Sequence, residues 1–187
     1  MTKPKLQVVP VFYDFEMTNL AADFGHMICA SFKKYGEPEV TTLRIDRTAV
    51  GKVKPWNDSA LAVQIRDQLE KQFLVVSYNG VMFDRKFLDT RLMGPECRER
   101  VVRMPLHKDL LWTAKRAFHL SSNRLQTIQE YLGLSSSKTR LDPALWNRAA
   151  AGHTPAIDYV VEHCEADVRV LEELFEYLIP FVQEVHS

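Results

Sequence analysis

Residues 73–78, Phe-Leu-Val-Val-Ser-Tyr, form a short, almost wholly apolar run that Asn79-Gly80 stops. A run of that length reads as a β-strand buried on both faces, which requires covering layers on either side of its sheet. The chain before it supplies three further strand patterns, at 7–15, 27–34 and 41–45. The last two are separated by the turn chemistry of Tyr35-Gly36-Glu37-Pro38. They read as an antiparallel meander. Helical patterns follow the meander and the buried run: one that Asp58 or Ser59 is expected to cap, with Leu61, Ile65 and Leu69 recurring every four residues, and one over 82–92. A strand at 101–104 is expected before Pro105. Helices are expected over 109–118, 124–132, 143–150 and 155–185, the last breaking near Pro180. Three leading strands followed by strands alternating with helices predict a layered α/β fold with a mixed sheet.

The 187 residues fit a single domain spanning 1–187, and 46% hydrophobic content is enough for a sizeable core. No apolar run approaches the length of a membrane span, and nothing apolar follows the basic start, so an intracellular, cytoplasmic protein is expected. Cys29, Cys97 and Cys164 are odd in number and widely spaced, which argues against a disulfide framework or a zinc knuckle.

The zero net charge hides a gradient. Residues 85–148 carry 13 basic and 6 acidic side chains, a net of +7, and residues 149–187 carry 1 and 8, a net of −7. A polyanion held by the basic segment near an acidic centre would produce this pattern, and so would two solvated faces.

The acidic residues with a legible pattern are few. Asp14 and Glu16 end the first strand, and its period of two puts both on one face with Phe15 on the other. Adjacent carboxylates repel, so both ionise at little cost only beside a cation. Asp84 opens the helix after the buried strand, where a helix N-terminus also accounts for an acid. His163 and Asp167 are four apart in the C-terminal helix and share a face, as a surface ion pair also would. Leu171, Leu174 and Leu178 lie on a nearby face that would pack the helix on the sheet.

In order and setting, these residues resemble a known constellation. Phe12-Tyr13-Asp14-Phe15-Glu16-Met17-Thr18, Tyr78-Asn79-Gly80-Val81-Met82-Phe83-Asp84 and His163-Cys164-Glu165-Ala166-Asp167-Val168 are similar to three motifs of the DEDD (DnaQ-like) superfamily of 3′→5′ exonucleases. The segment Leu106-His107-Lys108-Asp109-Leu110-Leu111 adds to the likeness. The resemblance implies a ribonuclease-H-like fold: a central mixed sheet, three antiparallel strands then parallel ones, flanked by helices. One departure is visible. The superfamily carries Tyr with three intervening residues before the last Asp, or His with four, and this chain has His163 at the Tyr spacing.

The resemblance also implies two divalent ions, Mg²⁺ or Mn²⁺, with Asp14 bridging both, Glu16 and Asp167 completing the first site and Asp84 serving the second. A set of carboxylates without a Cys or multi-His cluster suits such hard ions. His163 is expected to orient or deprotonate the attacking water. Phe15, Met17, Thr18, Asn79 and Phe83 are expected at the terminal nucleotide, and Lys138 and Arg140 of the basic segment at phosphates. The implied activity is a stand-alone exonuclease on single-stranded DNA or RNA 3′ ends, with any replication, repair or RNA-processing role supplied through partner proteins. A binding module that has lost turnover and a structure-selective endonuclease remain as alternatives on the same fold.

Overall fold

The computed structural model describes residues 8–100, 103, 105–134 and 142–181. Strands β1 (Val11–Met17), β2 (Met27–Lys34) and β3 (Val40–Arg44) form the expected meander. Helix α1 (Ser59–Glu70) then leads to the buried strand β4 (Leu74–Ser77), and α2 (Asp84–Met93) leads to β5 (Leu106–Asp109). Helices α3 (Leu110–Ala117), α4 (Leu125–Leu132), α5 (Pro143–Ala150) and α6 (Thr154–Leu178) complete the order.

The sheet order is β3-β2-β1-β4-β5, antiparallel across the first three strands and parallel from β1 through β5. This is the mixed sheet of a ribonuclease-H-like α/β fold. Among the described residues no helix is long and apolar enough to cross a membrane.

Two stretches depart from the sequence expectation. The strand expected at 101–104 lies, apart from Arg103, outside the described residues. The strand beside β4 is Leu106–Asp109, whose polar His-Lys-Asp content masks it. Half-buried His107 is accommodated there because Ser77 and Tyr13 sit within hydrogen-bonding distance of its Nε2, at 2.8 and 3.3 Å. The C-terminal helix ends at Leu178, with a 3₁₀ turn at Ile179–Phe181. Pro180 lacks the N–H that the α-helix would need there.

Asp58 occupies the position before α1, but its carboxylate does not cap the helix. It is 1% exposed. It accepts the N–H of Met27 at 2.8 Å and a forked pair from the Arg91 guanidinium, tying α1 to β2 and α2.

Alternation along β1 sorts the core. Tyr13 and Phe15 pack with Phe32 of β2, in a cluster that includes Leu61 and Ile65 of α1 and Leu88 of α2. Phe12 points the other way, edge-on to Phe175 of α6 with 5.5 Å between ring centroids. Leu171, Leu174 and Leu178 are buried in that second cluster, as their spacing predicts.

Polar contacts along its length pin the 25-residue α6 to the sheet, among them Thr42 to Glu165 and Arg44 to Asp158. Near its middle, the Cys164 thiol donates to the Asp14 carbonyl at 3.3 Å. Farther along, buried Glu172 pairs with Lys33 and accepts the Gly36 N–H at 2.7 Å, holding the β2–β3 turn. Breaking such a buried pair from one side leaves a charge without its partner, at a cost of about 3–5 kcal/mol.

Candidate active site

The site is built on the face of β1 that carries Phe12, Asp14 and Glu16. The register of β1 against β2 shifts between Glu16 and Met17, an irregularity that ends regular pairing where the acidic pair emerges. Helix α6 crosses this face and brings His163 and Asp167 over it. His163 Nε2 lies 3.9 Å from Glu16 Oε1 and 3.8 Å from Asp167 Oδ2. One ligand atom from each of Glu16, His163 and Asp167 falls within 4.8 Å of the others.

Asp84 arrives from the opposite flank, as the first residue of α2 and only 5% exposed. The loop before it is tightly specified. Asn79 adopts a left-handed φ of 64°, and a Cβ on Gly80 would collide with the Ser77 side chain and lie 2.9 Å from the Tyr13 hydroxyl. The Asp109 carboxylate holds this loop from behind. It accepts the N–H groups of Asn79 at 2.8 Å and Val81 at 3.2 Å, and that of Leu111 at 3.0 Å as the cap of α3.

Asp14, Glu16, Asp84, His163 and Asp167 all line one cleft of about 590 Å³. Its walls are the start of the β1–β2 loop, through Leu20, and Pro143, Trp146 and Asn147 of α5.

Crowding of the acids shows in their protonation. Burial first, then Glu16, Asp84 and Asp167, hold the Asp14 carboxyl well above the usual carboxylate range. Burial and then the charges of Asp167 and Asp84 do the same to Glu16. Burial pushes Asp84 up to about 7, against the opposing pull of hydrogen bonds from its own amide and that of Phe15. A cation among these oxygens would relieve the repulsion. Oxygen donors with one imidazole fit a hard divalent ion, and the nearby Cys164 thiol is occupied by the Asp14 carbonyl.

The substrate-contact expectations divide. Met17, Thr18 and Phe83 line the cleft. Phe15 borders it, while its ring is buried against Tyr13 and Phe32. Asn79 is not in the lining, and its N–H is bound to Asp109. Lys138 and Arg140 lie outside the described residues.

Two residues in the structure were not singled out by sequence. Trp146 donates its indole N–H to the Met17 carbonyl at 3.2 Å and stands edge-on to His163, 6.4 Å between centroids, so it fixes one wall. The Asp142-Pro143 helix start made α5 legible, but nothing local says that α5 faces the cleft. Asp109 belongs to the Leu106–Leu111 motif, which does not by itself disclose the loop-holding role. An acid at a strand-to-helix junction is the signal that could have found it.

The sequence matches the family model RNase_H_2, described as RNase_H superfamily, over residues 11–179. The fold is similar to that of the family B DNA polymerase from the hyperthermophilic archaeon Pyrobaculum calidifontis, with a TM-score of 0.71 and 16% identity. The likeness covers 94% of this chain and 25% of the polymerase chain, so it spans about a quarter of that protein and is a likeness of fold. No curated protein matches the sequence.

Proposed function

The chain belongs to the RNase_H superfamily, and from that membership we propose that it is a metal-dependent 3′→5′ exonuclease that shortens single-stranded DNA or RNA to nucleoside monophosphates. Superfamily and fold support a nuclease, a phosphodiester hydrolase acting on nucleic acid. The finer reading is carried by one observation: Asp14, Glu16, Asp84, His163 and Asp167, from β1, α2 and α6, converge in one cleft.

Asp14, Glu16, Asp84 and Asp167 would hold two Mg²⁺ or Mn²⁺ ions, which supply charge neutralisation at the phosphate and a lowered pKa for the attacking water. The protein's own part is positional and protic. As a neutral imidazole, His163 accepts the proton from the attacking water, and the carboxylates of Glu16 and Asp167 beside Nε2 stabilise the imidazolium that forms. Trp146 keeps that imidazole in place through its edge contact and its bond to Met17.

Phe83, Met17 and Thr18 line the space for the terminal nucleotide. The Thr18 hydroxyl accepts the His26 N–H at 3.0 Å, so it braces the β1–β2 loop as well. Asn79 acts through the backbone of its loop, and Phe15 through the strand it anchors. Lys138 and Arg140 precede Asp142, itself in the cleft lining, and supply upstream phosphate contacts that carry affinity without sequence information. The cleft has the volume of a small-ligand pocket, which supports a single-stranded end over a duplex.

Digestion of end-labelled DNA and RNA with free, 3′-blocked and circular forms tests this reading. The expected result is mononucleotide release from a free 3′ hydroxyl, a stall at the blocked end, and intact circles. Cut circles would make the protein an endonuclease, and binding without any product would make it a binding module.

A further inference from the structure

A second pocket, of about 290 Å³, opens at the edge strand β5, lined by Val81, His107, Lys108, Asp109, Trp112 and Arg116. Its chemistry is opposite to that of the acidic cleft. Lys108 sits beside Val76 of β4 and is only 8% exposed, yet its side chain makes no ion pair or hydrogen bond among the described residues. Its stem is covered while the ammonium keeps contact with solvent, so the charge is presented to the pocket without a bonded protein anion. Burial and then the like charge of Arg116 disfavour its protonated form.

Asp109 offsets part of the Lys108 charge through space, without a direct ion pair. Asp109 is the one acid in the lining, and three backbone N–H groups already share its carboxylate. The His107 ring has Ser77 and Tyr13 at its Nε2, and burial lowers its pKa to about 4, so it is neutral near pH 7.

The remaining feature is aromatic. Trp112 precedes Arg116 by one helical turn of α3, and the two share a side of the helix. Trp112 is 54% exposed, an uncommon cost for an indole unless something covers it. Two cations next to a free aromatic face are the parts that recognise a phosphate joined to a flat ring.

We propose that this pocket is a nucleotide-binding site separate from the catalytic cleft, in which Lys108 and Arg116 hold a phosphate and Trp112 stacks against the base. Its volume, at the small end of ligand pockets, suits one nucleotide unit and not a duplex or a folded peptide. The site also touches the catalytic loop. Val81 lines this pocket, whereas Tyr78, Phe83 and Asp84 of the same loop line the acidic cleft. An occupant would therefore press on the segment that presents Asp84. The nucleotide has two sources with the same chemistry, a free mononucleotide or one unit of a strand whose end is elsewhere.

The test is binding to the full chain in EDTA, where no turnover is required, so its outcome is independent of whether the protein is a nuclease. Adenosine 5′-monophosphate and a short oligothymidylate are titrated calorimetrically against wild type, Lys108→Met, Arg116→Ala and Trp112→Ala. Arg116 and Trp112 are exposed, so their variants report even if Lys108→Met fails to fold. The expected result is saturable binding that weakens at least about tenfold in each variant. Weakened monophosphate binding identifies a free nucleotide as the occupant. Weakening confined to the oligonucleotide identifies a unit of a strand. Affinities unchanged in Arg116→Ala and Trp112→Ala, or no binding of either probe to wild type, would overturn the proposal.

Discussion

The Cys164 thiol donates to the backbone carbonyl of Asp14 across 3.3 Å, so the helix that carries His163 and Asp167 rests directly on the strand that carries Asp14 and Glu16. Cys164 is fully buried. The contact leaves no room between α6 and β1, which sets the depth at which the imidazole and the last carboxylate reach the acidic pair.

That spacing can be altered by volume alone. Cys164→Leu should push α6 off β1 and destabilise the protein by about 1–3 kcal/mol, the usual cost of overpacking. Activity should fall more than stability does, because a displacement near 1 Å at a catalytic group costs about 10²-fold. Cys164→Ala should be milder on activity. Unfolding curves alongside turnover at a temperature where both variants are folded would separate the two effects.

The role of His163 is separable from that of the carboxylates. His163→Ala should lower kcat by about 10²–10⁴-fold with KM nearly unchanged, the range of general-base catalysis. His163→Tyr should retain more activity than His163→Ala, since the three-residue spacing to Asp167 is the one at which the resembled superfamily carries Tyr. If Ala turned over as fast as wild type, His163 would be a wall of the cleft and nothing more.

Asp109 should matter although it does not line the catalytic cleft. Asp109→Ala removes the acceptor of the Asn79, Val81 and Leu111 amides, and each unsatisfied buried amide costs about 1–3 kcal/mol. The variant should be less stable and should lose activity through a loosened Asp84. Hydrogen exchange at Asn79 and Val81, faster than in wild type while the sheet stays protected, would localise the effect.

The pH dependence of stability without metal should have two limbs. His107 has a folded pKa lowered to about 4 from an ordinary 6.5. Its contribution is present above pH 6.5 and is lost as pH falls toward 4. Asp84 has a folded pKa raised to about 7 from 3.8. Its contribution is complete below pH 3.8 and is lost as pH rises through 7, and Asp14 and Glu16 shift in the same direction. Above pH 6.5 the carboxylates dominate, so Tm in EDTA should decline from pH 6.5 to 8. Asp84→Asn should flatten that decline, and His107→Gln should flatten the acid limb. A Tm that rises across pH 6.5 to 8 in EDTA would contradict the assignment.

Much of the fold was legible because the decisive patterns are local. The apolar run at 73–78, the turn at 35–38 and the period of two that pairs Asp14 with Glu16 each depend on neighbours in sequence. Strand β2 and helix α5 fall where their residues put them. Strand β5 was hidden because its polar residues are satisfied by distant partners, such as Ser77 and Tyr13 for His107. Asp58 looked like a helix cap because that is what an acid before an apolar helix usually does. Its actual partners, Met27 and Arg91, are more than 30 residues away in sequence. The convergence of the five site residues could be expected only through the resemblance, since periodicity places residues on faces and says nothing of which faces meet. Trp146 was missed for the same reason.

The central claim is that the acidic cleft is the catalytic centre, and one measurement bears on it most directly. Mononucleotide release from 3′-labelled single strands is followed with Mg²⁺, Mn²⁺ or EDTA, for wild type and for Asp14→Asn. The account predicts release by wild type with either ion, none in EDTA, and a fall of at least about 10³-fold in Asp14→Asn, the equivalent of several kcal/mol of lost transition-state stabilisation. The variant should remain folded, with a Tm in EDTA equal to or above that of wild type, because the substitution relieves repulsion from Glu16, Asp84 and Asp167. Full activity in Asp14→Asn, or release that persists undiminished in EDTA, would contradict it.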